Sequence, residues 1–256
     1  MAHVAESTHW YTRKGEPAYT VKAKDGSDRP TNLRDARKLL LVPSVTTIIR
    51  CAAAPGLERW KQDQVLHAAL TLPRGATEPE AEWISRVWTD SGETARKAAE
   101  RGTEVHAAIQ THFEGGFVHS NMWHHVEGAK EVLRQWSPGG WIAEKAFASP
   151  LGFGGKVDLH RLELADVKTK EFDKDADLKT WDEQAMQLAA YRFGLGIETA
   201  RCAICYVSVS VPGLAKLIEI PEADLQKGWR MFLALLNFWQ ARTGYQSSWI
   251  PEKVAA

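Results

Sequence analysis

The chain has 256 residues, 44% of them hydrophobic and 25% charged, and its 32 basic and 32 acidic side chains give a formal net charge of zero. The length suits one large domain or a core with sizeable additions, and the composition is that of a globular protein. The charge balance excludes a uniformly basic nucleic-acid coat. No run approaches the roughly 20 apolar residues of a membrane span, and no basic patch leads into an apolar run near the start. We therefore expect no membrane partner, no secretion signal and a cytoplasmic location.

The first part of the chain combines short extended segments with helices. Residues 9–23 are typical of a hairpin in which Trp10–Thr12 and Tyr19–Val21 flank a Lys-Gly-Glu-Pro turn. Thr31-Asn32 is a helix cap, and Pro79 is suited to the first turn of a helix. The predicted helices are residues 33–40, 57–69 and about 80–114, the last interrupted at Gly92 and Gly102.

The second part of the chain has the composition of a sheet with covering helices. Its predicted strands are residues 141–149, 154–161, 164–169, 202–209 and 214–220. A helix is predicted over residues 182–195, and a final amphipathic helix over residues 222–243. The order helix, three strands, helix, strand predicts an α/β fold with a central mixed sheet flanked by helices.

Two of the three cysteines form a CxxC pair, Cys202 and Cys205, which invites a metal or redox interpretation. However, the surrounding run of β-branched and apolar residues predicts a buried strand. Residues three apart on a strand point to opposite faces, so core packing is the favoured interpretation of this pair.

The strands at 154–161 and 164–169 carry the candidate chemistry. If they form an antiparallel hairpin that turns near Leu162, Asp158 lies opposite Asp166, with Cβ atoms about 5 Å apart. Lys168 projects from the same face as Asp166. The other face is predicted to hold the apolar residues Val157, Leu159, Ala165 and Val167.

Two such carboxylates repel each other unless a divalent cation such as Mg²⁺ or Mn²⁺ lies between them. The cation would polarise a phosphate, and Lys168 would counter charge that builds on it. The alternative is a surface hairpin with unrelated charges, because an Asp followed by Asp-x-Lys is common.

Further candidates lie on neighbouring elements. His106 is on a helix, where Gly102 permits close approach of another backbone, although a helical histidine is also common in a core or at a surface. Gln187 and Tyr191 are four apart and share a helix face, which is alternatively a mixed surface. Glu144 lies in the middle of a strand and is either another site acid or exposed to solvent.

Together these segments resemble a known motif set. The series Arg-Gly-Thr-x-x-His at 101–106, Gly155-x-x-Asp158, Asp166-Val-Lys-Thr169 and Gln187-x-x-x-Tyr191 resembles that of the RecB-like nucleases of the PD-(D/E)XK superfamily. The segments 43–49 and 58–61 are similar, more narrowly, to those of the mitochondrial genome maintenance exonuclease and its phage and bacterial relatives. The resemblance covers roughly residues 42–195.

The resemblance implies a restriction-endonuclease-like core within a single domain, residues 1–256. Residues 1–79 would form an N-terminal hairpin and helical arm, 80–220 the catalytic core, and 221–256 a C-terminal helix and tail. It implies Mg²⁺ or Mn²⁺ as cofactor. The implied metal ligands are His106, Asp158 and Asp166; the implied catalytic residues are Asp158, Asp166 and Lys168; the residues that order the site or contact the strand are Gln187 and Tyr191.

The implied function is that of a metal-dependent DNA exonuclease acting on single-stranded or frayed ends in phage or bacterial recombination, repair or replication. One alternative is a duplex end-processing exonuclease that works with a recombinase or single-strand annealing protein, and another is a non-catalytic DNA-binding subunit. The location would be the cytoplasm of a bacterium or phage-infected host cell. Many relatives hold an iron–sulfur cluster with four cysteines, but this chain has three, so we expect no cluster.

Overall fold

The computed structural model describes residues 9–53 and 55–250. The start of the expected N-terminal arm and the end of the expected C-terminal tail therefore lie outside the described residues. Within them, no helix has both the length and the apolar character needed to cross a membrane.

The N-terminal strands pair differently from the predicted hairpin of residues 9–23. Strand β1 (Trp10–Tyr11) pairs with β4 (Val42–Pro43), while β2 (Thr20–Lys22) pairs with β3 (Asp28–Pro30). The chain does turn back between Tyr11 and Pro17, which form an isolated bridge. The predicted turn is therefore present, since Thr12 N donates to Glu16 O and Ala18 N to Trp10 O, both at 2.8 Å. The pairing of residues 10–12 with residues 19–21 was wrong, because a second turn at residues 23–27, where Gly26 has a φ of 83°, pairs residues 20–22 with residues 28–30.

The first four helices of the described residues lie before α5 (Ser120–Trp136), which precedes the main sheet. They are α1 (Leu33–Leu39), α2 (Val45–Ile49), α3 (Pro55–Thr71) and α4 (Glu80–Phe113). Asn32 caps α1 by accepting from the backbone N of Arg34 and Asp35, as the sequence predicts. The predicted interruptions of α4 at Gly92 and Gly102 are wrong, because a single helical glycine costs only about 1 kcal/mol, which tertiary packing can offset.

The main sheet has five strands in the order of the chain: β5 (Ile142–Ser149), β6 (Phe153–His160), β7 (Leu164–Lys170), β8 (Cys202–Ser208) and β9 (Ala215–Ile220). Only the β7–β8 pair is parallel, because α6 (Asp182–Gly194) returns the chain to the same end of the sheet. The predicted α/β architecture with a mixed sheet is confirmed.

Helices cover both faces of the sheet and enclose two separate apolar layers. One face packs against α2, α6 and α7 (Glu222–Thr243), and the other against α4 and α5 (Ser120–Trp136). Cys202 lies in the first layer and Cys205 in the second, and both are fully buried. The prediction that the CxxC pair is divided across a core strand is confirmed.

The β5–β6 ribbon exchanges its two faces at one point. On β6, Val157 lies in the α6–α7 layer while Leu159 lies in the α4–α5 layer, although residues two apart on a regular strand share a face. On β5, Ala143 and Phe147 are likewise divided between the two layers. The prediction that Val157 shares a face with Leu159 was therefore wrong.

Glu144 lies at this exchange of faces. The β5–β6 ladder pairs Ala143 with Leu159 and Lys145 with Val157, and it omits Glu144 and Asp158 between them. Glu144 has a φ of 44°, a left-handed conformation that L residues other than glycine rarely adopt. The distortion releases Asp158 from the ladder and frees its carboxylate for contacts with the next strand.

Candidate functional site

The most buried acid of the site is Asp166, which lies on β7 and faces α6. Its side chain is 2% exposed, and its Oδ1 accepts a hydrogen bond from Gln187 Nε2 at 2.9 Å. Its Oδ2 lies 2.6 Å from Lys168 Nζ, but within residues 9–53 and 55–250 it has no hydrogen bond of good geometry. A buried carboxylate oxygen in this state retains capacity for a further positively charged partner.

The second acid of the site is Asp158, which lies on β6. The predicted register is confirmed for Leu159 with Ala165 and His160 with Leu164, but the ladder ends there and does not pair Asp158 with Asp166. Asp158 instead uses its side chain, and Oδ2 accepts from Val167 N at 2.8 Å. Burial and, second, the negative charge of Asp166 raise the pKa of the Asp158 carboxyl, so the two acids interact electrostatically.

His106 approaches Asp158 from α4. Its Nδ1 lies 3.7 Å from Asp158 Oδ2, and burial lowers the pKa of the imidazole, which favours the neutral form that binds metals. Gly102, one turn earlier, lets α4 lie against β7, because a Cβ at this position would be 2.8 Å from Thr169 Oγ1. The close approach predicted at Gly102 is present, although the neighbour is a side chain.

Lys168 contacts both Asp166 on β7 and Gln187 on α6. Its Nζ pairs with Asp166 and lies 3.4 Å from Gln187 Oε1. Burial alone would lower the pKa of Lys168, but the charges of Asp166 and Asp158 outweigh this effect, so the pKa lies above its usual value. The side chain is therefore an ammonium at neutral pH.

Gln187 and Tyr191 share the face of α6 that covers the acids, as their spacing predicts. Gln187 Nε2 donates to Asp166 Oδ1 and to Tyr191 Oη, both at 2.9 Å. Tyr191 is buried, and its ring fills the space left by Gly155, where a Cβ would be 2.7 Å from Tyr191 Cε1. Gln187 thus contacts an acid, the lysine and the tyrosine at once.

Glu144 lies beside the same group. It is half-buried and forms an ion pair with Lys156, so the alternative of a carboxylate that simply faces solvent is wrong. Its charge also contributes to the raised pKa of Asp158. Lys156 was not predicted from the sequence, and the period of the strand could not have indicated it, because the faces of β6 exchange between Val157 and Leu159.

The donor set fits a hard divalent cation, although the side chains are not arranged as ligands. Among the side chains that the structure describes, no three His, Cys, Asp or Glu groups already form a metal-binding cluster. Two carboxylates and a neutral imidazole are the donor types that Mn²⁺ accepts, and Mg²⁺ prefers the oxygens alone. The buried Asp166 Oδ2 is the oxygen best placed to accept such a cation, because its present partner is an ammonium.

Comparison with known proteins leaves the family open. No protein-family model matches the chain, and no curated protein matches it. Among solved structures 11 chains match; one is the crystal structure of SSO0001, which has 16% sequence identity, covers 78% of this chain and 97% of that chain, and has a TM-score of 0.26. A likeness at this level carries no argument, so a functional conclusion depends on the residues themselves.

Proposed function

We propose that this protein is a metal-dependent deoxyribonuclease with a RecB-like PD-(D/E)XK core. The observation that supports this most is the pairing of a buried acid with a lysine two residues later, Asp166 with Lys168 at 2.6 Å, beside a second acid of raised pKa, Asp158. A protein has little structural reason to bury two interacting carboxylates, because the desolvation of charge is costly.

The cation would be held by Asp158, Asp166 and His106. When bound, Mn²⁺ or Mg²⁺ would supply positive charge that polarises a phosphodiester and lowers the pKa of water. The raised pKa of Asp158 is consistent with a site that is incomplete without such a charge.

Lys168 and Gln187 would then act on the substrate. An ammonium at Lys168 can hold the attacking water or counter the negative charge that develops on the phosphate. Gln187 keeps Asp166 and Lys168 in one arrangement through its amide, which donates to the acid and offers an oxygen to the lysine. Tyr191 in turn orients Gln187 by accepting a hydrogen bond from it.

The proposed substrate is DNA with single-stranded or frayed ends, and the proposed role is exonucleolytic processing in recombination, repair or replication. The competing functions are a duplex end-processing exonuclease that works with a recombinase or annealing protein and a DNA-binding subunit without catalysis. A catalytically silent subunit has no need for an ammonium paired with the buried Asp166 next to a second acid.

The purified protein should be incubated with end-labelled linear and circular DNA, single- and double-stranded, in Mg²⁺, Mn²⁺ or EDTA. We expect cation-dependent loss of linear single strands while circles remain intact. Preference for duplex ends would favour the duplex exonuclease, and cutting of circles would indicate an endonuclease. Binding of DNA without cleavage in either cation would overturn the proposed function.

A further inference from the structure

The N-terminal segment lies directly beside the candidate site. A Cβ at Gly154 would be 3.0 Å from Tyr11 Cβ, and a Cβ at the next residue, Gly155, would be 2.7 Å from Tyr191 Cε1. Two adjacent glycines of β6 therefore bring Tyr11 and Tyr191 close to the same stretch of strand. The pKa of Tyr11 is raised mainly by burial, and the negative charge of Glu144 also contributes.

His9 is tied to the same strand through the backbone. Ser44 N donates to His9 O at 2.9 Å, and Ser44 forms a parallel bridge with Gly154 of β6. The main chain of His9 is thus held beside β6 by way of Ser44.

An aromatic stack extends from this segment. The rings of His9 and Tyr19 are stacked with centroids 4.5 Å apart and an interplanar angle of 26°. Tyr19 meets buried Tyr11 edge-on, and their hydroxyls are 2.8 Å apart. Tyr11 supports the stack from the core, whereas His9 is exposed to solvent. A stack needed only for the core would not end on an exposed imidazole.

Two cations flank this stack. Lys156 lies on β6, is 34% exposed and is held by its ion pair with Glu144, and Arg50 is the exposed C-cap residue of α2. Ser44, which bonds to His9, is the N-cap of α2 and bridges to β6 two residues before Lys156, so both α2 and β6 pass beside the His9 segment. After burial, the positive charges of Arg50 and Lys156 lower the pKa of His9. The stack therefore has two cationic neighbours, although Glu144 offsets part of the charge of Lys156.

We propose that His9, Tyr19, Arg50 and Lys156 form a nucleotide-binding wall beside the acids: the stack holds an unpaired base, and the two cations hold the adjacent phosphates. Aromatic faces combined with cations are the usual means of binding single strands without sequence preference. The inference rests on the proposed nuclease function and sharpens it, because a base can stack here only after it has left the duplex. The substrate is then an unpaired strand.

The test measures binding without turnover. All variants should be made in an Asp166→Asn background, and their affinity for a fluorescent single-stranded oligonucleotide should be measured by anisotropy in Mn²⁺ as a function of salt. His9→Ala and Tyr19→Leu should each weaken binding about tenfold, whereas Tyr19→Phe, which keeps the ring, should not. The thermal stability of the Tyr19→Leu variant should be measured alongside its affinity, to separate loss of stacking from loss of folding. His9 is exposed, so His9→Ala tests the stack without a change in the core.

The contributions of the bases and of the phosphates to binding can be measured separately. Lys156→Gln and Arg50→Gln should each make the slope of log affinity against log salt shallower by about 0.7. An oligonucleotide with abasic sites should bind the parent protein more weakly than the intact oligonucleotide does. On this oligonucleotide the parent and the His9→Ala variant should have equal affinity. Exposed Lys145 and Phe117 supply control variants, Lys145→Gln and Phe117→Ala, which should bind like the parent.

The wall and the nuclease can fail independently. The wall is overturned if the parent does not bind single strands, or if His9→Ala and Lys156→Gln bind as the parent does, even when the wild type cleaves DNA. Loss of binding in these variants together with no cleavage by the wild type would support the wall and reject the nuclease.

Discussion

Lys168 Nζ lies 2.6 Å from Asp166 Oδ2, and this contact joins the most buried acid among the described residues to an ammonium that is about a third exposed. Gln187 contacts both side chains from α6. The lysine therefore neutralises the carboxylate that the proposed cation would also occupy. The ion pair offsets the cost of burying Asp166, and a cation bound at this oxygen would take over that role from Lys168.

Removal of this lysine should affect both stability and cleavage. Lys168→Ala leaves the Asp166 carboxylate buried without its ammonium partner. Because Lys168 is partly exposed, we expect the free energy of unfolding to fall by about 2 kcal/mol, which is less than for a fully buried pair. Urea unfolding in EDTA measures it, with Lys170→Ala at the exposed end of β7 as the control. Mn²⁺ should restore more stability to the Lys168 variant than to wild type, and equal stability of the two lysine variants in EDTA would contradict this account.

His106 should determine the preference between cations. A neutral imidazole suits Mn²⁺ better than Mg²⁺, so Mn²⁺ should support cleavage at least as well as Mg²⁺. His106→Ala should weaken Mn²⁺ binding about tenfold or more and Mg²⁺ binding less. Calorimetric titration of both cations checks this, and unchanged Mn²⁺ affinity would exclude His106 as a ligand.

Gln187 and Tyr191 should affect turnover more than metal binding. Gln187→Ala removes the amide that contacts Asp166, Lys168 and Tyr191, so the cleavage rate should fall by more than about tenfold while Mn²⁺ affinity changes little. Tyr191→Phe keeps the packed ring and should have the smaller effect. Rates on a labelled oligonucleotide beside calorimetry decide the question; full activity in both variants would reduce the pair to scaffold.

Substitutions of Glu144 should show in their stability that its left-handed backbone is strained. Both Glu144→Gly and Glu144→Ala lose the carboxylate and the contact with Lys156, but only glycine adopts a φ of 44° without steric cost. The glycine variant should be more stable than the alanine variant by about 1 kcal/mol. The order of their unfolding midpoints is the readout, and a more stable alanine variant would show that the left-handed backbone is not retained.

The cysteines should hold no iron–sulfur cluster. Cys202 and Cys205 lie in separate apolar layers, and burial raises the pKa of both thiols, which disfavours the thiolates that bind iron. Protein purified without oxygen should be colourless and free of stoichiometric iron and sulfide. A brown preparation would require a different course of residues 202–208.

The sequence was informative where local geometry determines the outcome. The β6–β7 register follows from a short turn and the period of two, and the shared face of Gln187 and Tyr191 follows from the helical repeat. Both needed no knowledge of distant residues.

Tertiary context decided the features that were missed. A left-handed Glu144 contradicts the local preference of glutamate, so the exchange of faces that separates Val157 from Leu159 has no signature in the strand pattern. The pairing of Trp10 with Pro43 joins residues distant in sequence, which periodicity does not connect. The stack of His9 on Tyr19 depends on side-chain packing that the strand pattern does not specify.

The most direct test of the account is the initial rate at which wild type and Asp166→Asn cleave one end-labelled single-stranded oligonucleotide in Mn²⁺. We expect wild type to cleave only without EDTA, and the folded variant to be slower by roughly a thousandfold, since a metal site contributes several kcal/mol to the transition state. Cleavage by Asp166→Asn at a rate near that of wild type, or cleavage by wild type that persists in EDTA, would contradict the account.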